Sequence, residues 1–332
     1  MTKQPLVSIV MCCYNGAHFI HRAFRSILDQ TYNNIELIFV NDGSADNTIE
    51  VAQSYLKEFE ERGYILNIVS QENHGLGHAC ATGLKYITGD FLSYLDVDDT
   101  IMPTSIEDKV KFLIEYPDYN VVRTNAYIVH GDNIDDTSHL LVMNYREKTN
   151  IHIFKDLLFG YTNNYAGTYL VRTAPLKEFY KDKEAPISQY GQNLQLLLPL
   201  TYNAPCGFID KPLFKYIKHS ASHSAPTSLE KEIDLAKGYW DIRYKMLDVM
   251  QINDVDLKTK LEIRLTQNII YRTIHHSNVE LFNKYYSALN KLGGNTFEFK
   301  TYNAIMNEHK LQLIYRILFL LYRHLCPQNL AY

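Results

Sequence analysis

An α/β architecture with a mainly parallel sheet, followed by an all-helical C-terminal extension, is expected of this 332-residue chain. Three patterns lead there. Apolar, β-branched runs alternate with stretches of helical period over the first hundred residues. A more mixed region continues to about residue 226. Pro226 and Pro327 then bracket a stretch with no proline and only Gly238, Gly293 and Gly294. The length suits about two domains, and the proline pattern divides them as 1–226 and 227–332. An apolar fraction of 46% and a charged fraction of 21% exclude a disordered or collagen-like chain and a small disulfide scaffold. A net charge of −4 excludes a dedicated nucleic-acid binder, which carries a strong basic excess.

The elements follow in order. Pro5–Met11 is an apolar, β-branched run and reads as a buried strand. Phe19, Ile20, Ala23, Phe24, Ile27 and Leu28 repeat at helical spacing. Ile35–Val40 is a second strand, and Val51, Ala52, Tyr55, Leu56 and Phe59 mark a second helix. Tyr64–Val69, then Ala79, Cys80, Gly83, Leu84 and Ile87, then Phe91–Leu95 give strand, helix and strand. Strands joined by helices of this length form right-handed βαβ units. Beyond them, Ile106, Val110, Leu113 and Ile114 suggest a helix, and Val121–Val129 and Tyr165–Arg172 strands. Leu194–Leu200 reads as a buried helix ending at Pro199, and Phe208–Ile217 as a last strand. The tail repeats amphipathic patterns such as Leu261, Leu265, Ile269 and Ile270.

The five cysteines show no CxxC spacing and no framework, which fits a reducing, cytoplasmic setting. The run Leu6–Cys13 is broken by Ser8 and lacks a small-residue cleavage site, so it is read as a core strand and not a signal peptide. No run reaches the roughly 18 apolar residues of a membrane span.

Ligands of open α/β sheets bind at the carboxyl ends of the strands. The loops there are therefore the ones to read. Tyr14-Asn15-Gly16 follows the first strand as a tight turn. Asn41-Asp42-Gly43-Ser44 follows the second; Asp42 is placed either to accept from a nucleoside or to cap a helix. Asn73-His74-Gly75-Leu76-Gly77 follows the third; its glycines suit a backbone approach to phosphate or a loop with positive φ. The fourth strand ends in Asp96-Val97-Asp98-Asp99. Three carboxylates so close repel one another unless a cation compensates. Asp96 and Asp98 fall on one side of an extended backbone and together suit a hard ion, Mn²⁺ or Mg²⁺.

These residues resemble the family 2 inverting glycosyltransferases, which have the glycosyltransferase A (GT-A, Rossmann-like) fold, a mixed sheet flanked by helices. The resemblance rests on Val7-Ser8-Ile9-Val10 with Tyr14-Asn15, on Asn41-Asp42-Gly43-Ser44 with Asp46 and Thr48, on Asn73 and Gly75, and on Thr88-Gly89-Asp90-Phe91 running into Leu95–Asp99. It covers residues 5–103 closely, 104–226 loosely and the tail not at all. It implies a nucleotide-sugar half at 1–103 and an acceptor half at 104–226. It further implies a UDP-sugar donor, with Tyr14, Asn15, Asp42 and Gly75 at the nucleoside side. Asp96 would meet the ribose or donor sugar and Asp98 the metal. Transfer would invert the anomeric carbon, aided by a general base from a Glu-Asp pair near residue 190. Here Gln192 and Asn193 stand at that pair, and an amide takes no proton at neutral pH. Cys80 and Ala81 depart from the family's usual Arg and Asn, which points to unusual donor selection.

His219 and His223 follow the last core strand, as candidates to complete a metal shell or as solvated loop residues, with Lys215 and Lys218 near phosphate. The terminal Leu311–Cys326 alternates apolar residues with Arg316, Arg323 and His324. It suits contact with the inner face of a membrane, packing on its own domain, or a homo-oligomer interface. The expected partners are a nucleotide sugar and a glycan or lipid-linked acceptor of a surface polysaccharide pathway. A non-catalytic, nucleotide-sugar-binding scaffold is the alternative, motivated by Asn193. Tyr is abundant at 26, but only Tyr14, Tyr32, Tyr55, Tyr64, Tyr86 and Tyr94 lie among the first hundred residues. The excess thus does not mark the donor half, and Tyr161, Tyr165 and Tyr190 are the candidates for an aromatic acceptor groove.

Overall fold

The computed structural model describes residues 4–130, 135, 137–142, 144–218 and 228–307. Contacts divide the chain into two compact units. The first is Met1–His223 with Asp241–Ile252, and the second is Ser224–Trp240 with Asn253–Tyr332.

The first unit is a mixed sheet with helices against it. In chain order it runs β1 (Val7–Cys13), α1 (Ala17–Leu28), β2 (Ile35–Asp42), α2 (Thr48–Gln53), α3 (Leu56–Arg62), β3 (Ile65–Gln71), α4 (Leu76–Leu84) and β4 (Phe91–Tyr94). It continues with β5 (Thr100–Ile101), α5 (Ser105–Glu115), β6 (Val121–His130), α6 (Tyr145–Thr149), α7 (Phe154–Leu158), β7 (Tyr169–Arg172), α8 (Thr173–Phe179), α9 (Asn193–Thr201) and β8 (Cys206–Lys218). The eight strands lie in the order β3-β2-β1-β4-β7-β6-β8-β5. The four-strand half from β3 to β4 is parallel, as the alternation of apolar runs predicts. Beyond it β7 pairs antiparallel with both β4 and β6.

The core explains the ordering. β1 and β2 are buried almost throughout, and Phe24 of α1 meets Phe39, Tyr55 and Phe59 edge-on. Burying such aromatic and aliphatic side chains stabilises each by about 1.5–3 kcal/mol. The expected second helix is in fact two, α2 and α3, broken at Ser54-Tyr55. The expected strand 165–172 shortens to Tyr169–Arg172. Gly167 stops it: its φ is +84°, and a Cβ there would lie 2.6 Å from the Phe214 ring. Lys109 of α5, fully buried, donates 2.6 Å to the Gly167 carbonyl, and burial pushes its ammonium down to about 7.

α9 does not end at Pro199 but runs through it to Thr201. Proline removes the N–H that would reach the Gln195 carbonyl. The Tyr180 hydroxyl takes that carbonyl instead, at 2.8 Å.

The helices of the tail are α10 (Leu229–Val249), α11 (Val255–His275), α12 (Val279–Lys291) and α13 (Phe297–Asn307). In the second unit Ile270, Ile274, Phe282, Leu289, Phe299 and Met306 form one core, and Leu229, Ile233 and Ile269 another. The expected border near Pro226, His219 and His223, and the basic segment Leu311–Cys326 lie outside the described residues. No described helix is long and apolar enough to cross a membrane.

Candidate functional site

The carboxyl ends of β1, β2, β3 and β4 gather the loops singled out above. The first two are tied together by their own side chains. Asn15, at φ +49°, donates its N–H to Ser44 Oγ at 2.9 Å and accepts from the Ala45 N–H at 2.8 Å. Asn tolerates that left-handed conformation better than most residues. Gly16 N–H reaches Thr48 Oγ1 at 3.1 Å. Tyr14 stands exposed at the rim. Asn15 therefore ties the first two loops together, and Tyr14 offers an exposed aromatic ring.

Asp42 is buried at the end of β2. Its Oδ1 accepts from Gln71 Nε2 at 2.7 Å and from the His74 N–H at 3.1 Å, and its Oδ2 from the Gly75 N–H at 2.9 Å. Its carboxylate thus holds the loop that precedes α4 through the His74 and Gly75 N–H groups, without capping that helix. The first turn of α4 is pressed close to the segment before α9. A Cβ on Gly77 would lie 2.1 Å from the Ser188 carbonyl oxygen, so only glycine fits.

The acidic turn completes the site. Val97 lies against the first loop, its Cγ1 3.5 Å from where a Cβ on Gly16 would be. Arg22 Nη2 donates to the Asp98 carbonyl, fixing the turn from below. Asp99 is buried and accepts 2.8 Å from the Ile217 N–H at the end of β8. Burial first, then Asp98 and Asp96, push its carboxyl well above the usual range. Asp99 is thus a strut between the turn and β8, while Asp96 remains exposed to solvent. The protein wall around Asp96, and then the charge of Asp98, push it up to about 7. Two oxygen donors of like sign suit a hard divalent cation, which would relieve that repulsion.

The predicted base positions diverge. Gln192 is buried and donates its Nε2 to the Ser188 carbonyl at 3.0 Å, so it holds the loop. Asn193 opens α9, and its Oδ1 accepts from the Tyr169 hydroxyl at 2.5 Å. Tyr169 is fully buried, so its O–H needs this acceptor. The Asn193 amide is thereby oriented with Nδ2 away from Tyr169, as a hydrogen-bond donor.

Sequence reasoning missed Cys12 and Tyr169 as neighbours of Asp96, and the pairing of Cys12 with Cys80. Cys12 and Cys80 put their sulfurs 3.6 Å apart. Their mutual hydrogen bond, then burial, hold the Cys12 thiol well above its usual value, with Asp96 and Asp42 adding to it. Tyr169 is likewise raised by burial and then by Asp96 and Cys80. A thiol pair at a strand end and a tyrosine on β7 carry no local motif. They become neighbours only through the β4–β7 pairing. Lys215 pairs with Asp135 at 3.7 Å, and Lys218 lies over the Tyr216 ring at 5.9 Å. Of the aromatic candidates, Tyr165 stacks on Tyr216 with centroids 4.5 Å apart, and Tyr161 is exposed.

Residues 8–176, about half of the chain, match the model of a family described as glycosyl transferase family 2. An uncharacterized glycosyltransferase of Rickettsia typhi is 39% identical over 140 residues, which are 42% of this chain and 41% of that protein. The chain thus matches under half the length of that curated relative. Two solved structures share the fold. S. aureus TarS 1-349 in complex with UDP-GlcNAc superposes with a TM-score of 0.55 at 16% identity, covering 86% of this chain and 90% of that one. The mannosyltransferase PcManGT from Pyrobaculum calidifontis, in complex with GDP-Man and Mn²⁺, gives 0.54 at 13% identity, covering 94% and 87%. The mixed eight-stranded sheet is accordingly of the glycosyltransferase A type.

Proposed function

The chain belongs to glycosyl transferase family 2, and on that footing we propose that it moves a sugar from a nucleotide diphosphate sugar to an acceptor hydroxyl with inversion. A UDP-sugar is the first donor to test, since TarS was solved with UDP-GlcNAc on the same fold. The observation that carries the reading is the acidic turn at the end of β4, where Asp98 helps to hold the Asp96 carboxyl up to about 7. Asp96 and Asp98 fit Mn²⁺ or Mg²⁺ by charge and by donor type. Such an ion, when bound, neutralises charge developing on the departing diphosphate.

The remaining work falls to the chain itself. The loop at Tyr14 and the loop at Gly75, held by Asp42, form the nucleoside side. The bond from the anomeric carbon to the diphosphate oxygen breaks as the acceptor oxygen attacks the opposite face. The Asn193 amide N–H groups orient the acceptor by donating to it, with Tyr169 holding the amide. The acceptor proton is released to solvent water, because the Asn193 amide does not accept it.

The decisive experiment is turnover of UDP-GlcNAc by the purified protein with Mn²⁺. Asp98→Asn should lower it by on the order of a hundredfold. Unchanged turnover in that variant would sink the assignment of the acidic turn. UDP binding in calorimetry without any turnover, with any acceptor supplied, would favour the scaffold reading that Asn193 motivates.

A further inference from the structure

The second unit holds a cluster that sugar transfer does not use. Glu232 lies in the first turn of α10, His275 is the last residue of α11, and His276 caps that helix. One ligand atom from each, two imidazole nitrogens and a carboxylate oxygen, lie within 4.8 Å of one another. Among the described residues no other three His, Cys, Asp or Glu groups meet in this way. We propose that Glu232, His275 and His276 form a binding site for a first-row transition ion of the Zn²⁺ type, separate from the acidic turn.

The backbone around the cluster is fixed. Arg272 Nε donates 3.3 Å to the Glu232 carbonyl, and the His276 N–H donates 3.0 Å to the Arg272 carbonyl. The helix is closed by the Ser277 and Asn278 N–H groups on the Ile274 and Thr273 carbonyls, both at 2.9 Å, with Ser277 at φ +53°. Ile233, next to Glu232, packs against Ile269 of α11. The two helices therefore present the three side chains from fixed positions, and the ligands do not need to be gathered from a mobile chain.

The electrostatics favour a cation. The carbonyls at the C-terminus of α11 carry a negative partial charge. Glu232 adds a full one, and Glu230 in the same turn lies within electrostatic reach of His276. His276 Nε2 sits 2.9 Å from Glu232 Oε1. Protonation of His276 would serve that contact alone. A metal joins all three groups. Two imidazoles with one carboxylate suit Zn²⁺, Co²⁺ or Ni²⁺, whereas Mg²⁺ and Ca²⁺ select all-oxygen sets. Both histidines are exposed, so an ion and a completing water have access.

The test uses the full chain carrying Asp98→Asn, which weakens the other candidate cation site. Competition for Zn²⁺ with a chromophoric chelator should report one equivalent bound, undisturbed by millimolar Mg²⁺. His276→Ala and, separately, Glu232→Gln should each weaken that equivalent at least about tenfold. His275→Ala serves as a third variant, and circular dichroism checks that each remains folded. Co²⁺ should give visible absorption bands that vanish in the same variants. Absence of a stoichiometric Zn²⁺ equivalent, or one whose affinity is unchanged in His276→Ala and Glu232→Gln, would overturn the proposal.

Discussion

Asn193 shows how one hydrogen bond assigns a residue's chemistry. Family resemblance puts it where a carboxylate normally takes the acceptor proton. The buried Tyr169 hydroxyl uses the only oxygen of its side chain. What remains is an N–H pair, which can orient an acceptor but not deprotonate it. Two outcomes follow from that geometry. Tyr169→Phe leaves Asn193 free to rotate, so turnover should fall while UDP affinity in calorimetry stays the same. The lost hydrogen bond should cost about 1 kcal/mol in chemical denaturation. Asn193→Asp supplies a carboxylate at the proposed base position, and hydrolysis of UDP-GlcNAc by water should rise about tenfold or more. A fall instead would mean that the donating N–H matters more than a base. Gln192 is a contrasting case. Its amide is consumed by the Ser188 carbonyl, and nothing in its sequence position reveals that.

At the scale of elements, α9 survives an internal proline only with outside help. Tyr180 reaches in from the end of α8 to the carbonyl that Pro199 orphans. Tyr180→Phe should then destabilise the protein by about 1–2 kcal/mol. Pro199→Ala restores a backbone donor, so in that background the same substitution should cost much less. A double-mutant cycle by urea denaturation measures the difference, and additive costs would refute the pairing. The same scale explains what could be read from the chain in advance. β1, β2 and β4 are long or fully buried apolar runs, and their βαβ connections have few alternatives. The acidic turn was legible because its charges repel locally. The antiparallel half was not. β5 has two residues and β7 four, and β6 finds its partner β8 some 85 positions away, as at Val121 and Cys206. No period in the sequence encodes such pairings. Cys12 and Tyr169 escaped notice for the same reason, since they reach Asp96 only once the sheet has closed.

At the scale of the whole molecule, carboxylates collected at one sheet edge couple stability to pH. Asp96 titrates at about 7 in the folded protein against 3.8 for an ordinary aspartate. Asp99 is displaced in the same direction. Below about pH 4 both folded and unfolded chains hold the Asp96 proton, and it contributes no difference. Between there and about 7 the folded chain keeps a proton that the unfolded chain has lost, so stability falls as pH rises. Above 7 the loss is complete. A divalent cation on Asp96 and Asp98 reverses the sign, because it binds the ionised pair of the native state alone. Thermal unfolding of the wild type minus that of Asp96→Asn isolates this contribution from the other titrating groups. Without metal, the wild type should lose ground to the variant as pH rises from about 5 to about 8. Saturating Mn²⁺ should raise the wild-type midpoint more at pH 8 than at pH 5, and raise the variant little at either. A Mn²⁺ increment that ignores both pH and Asp96 would remove the acidic turn as its site and leave the cluster at Glu232, His275 and His276 as the place to look.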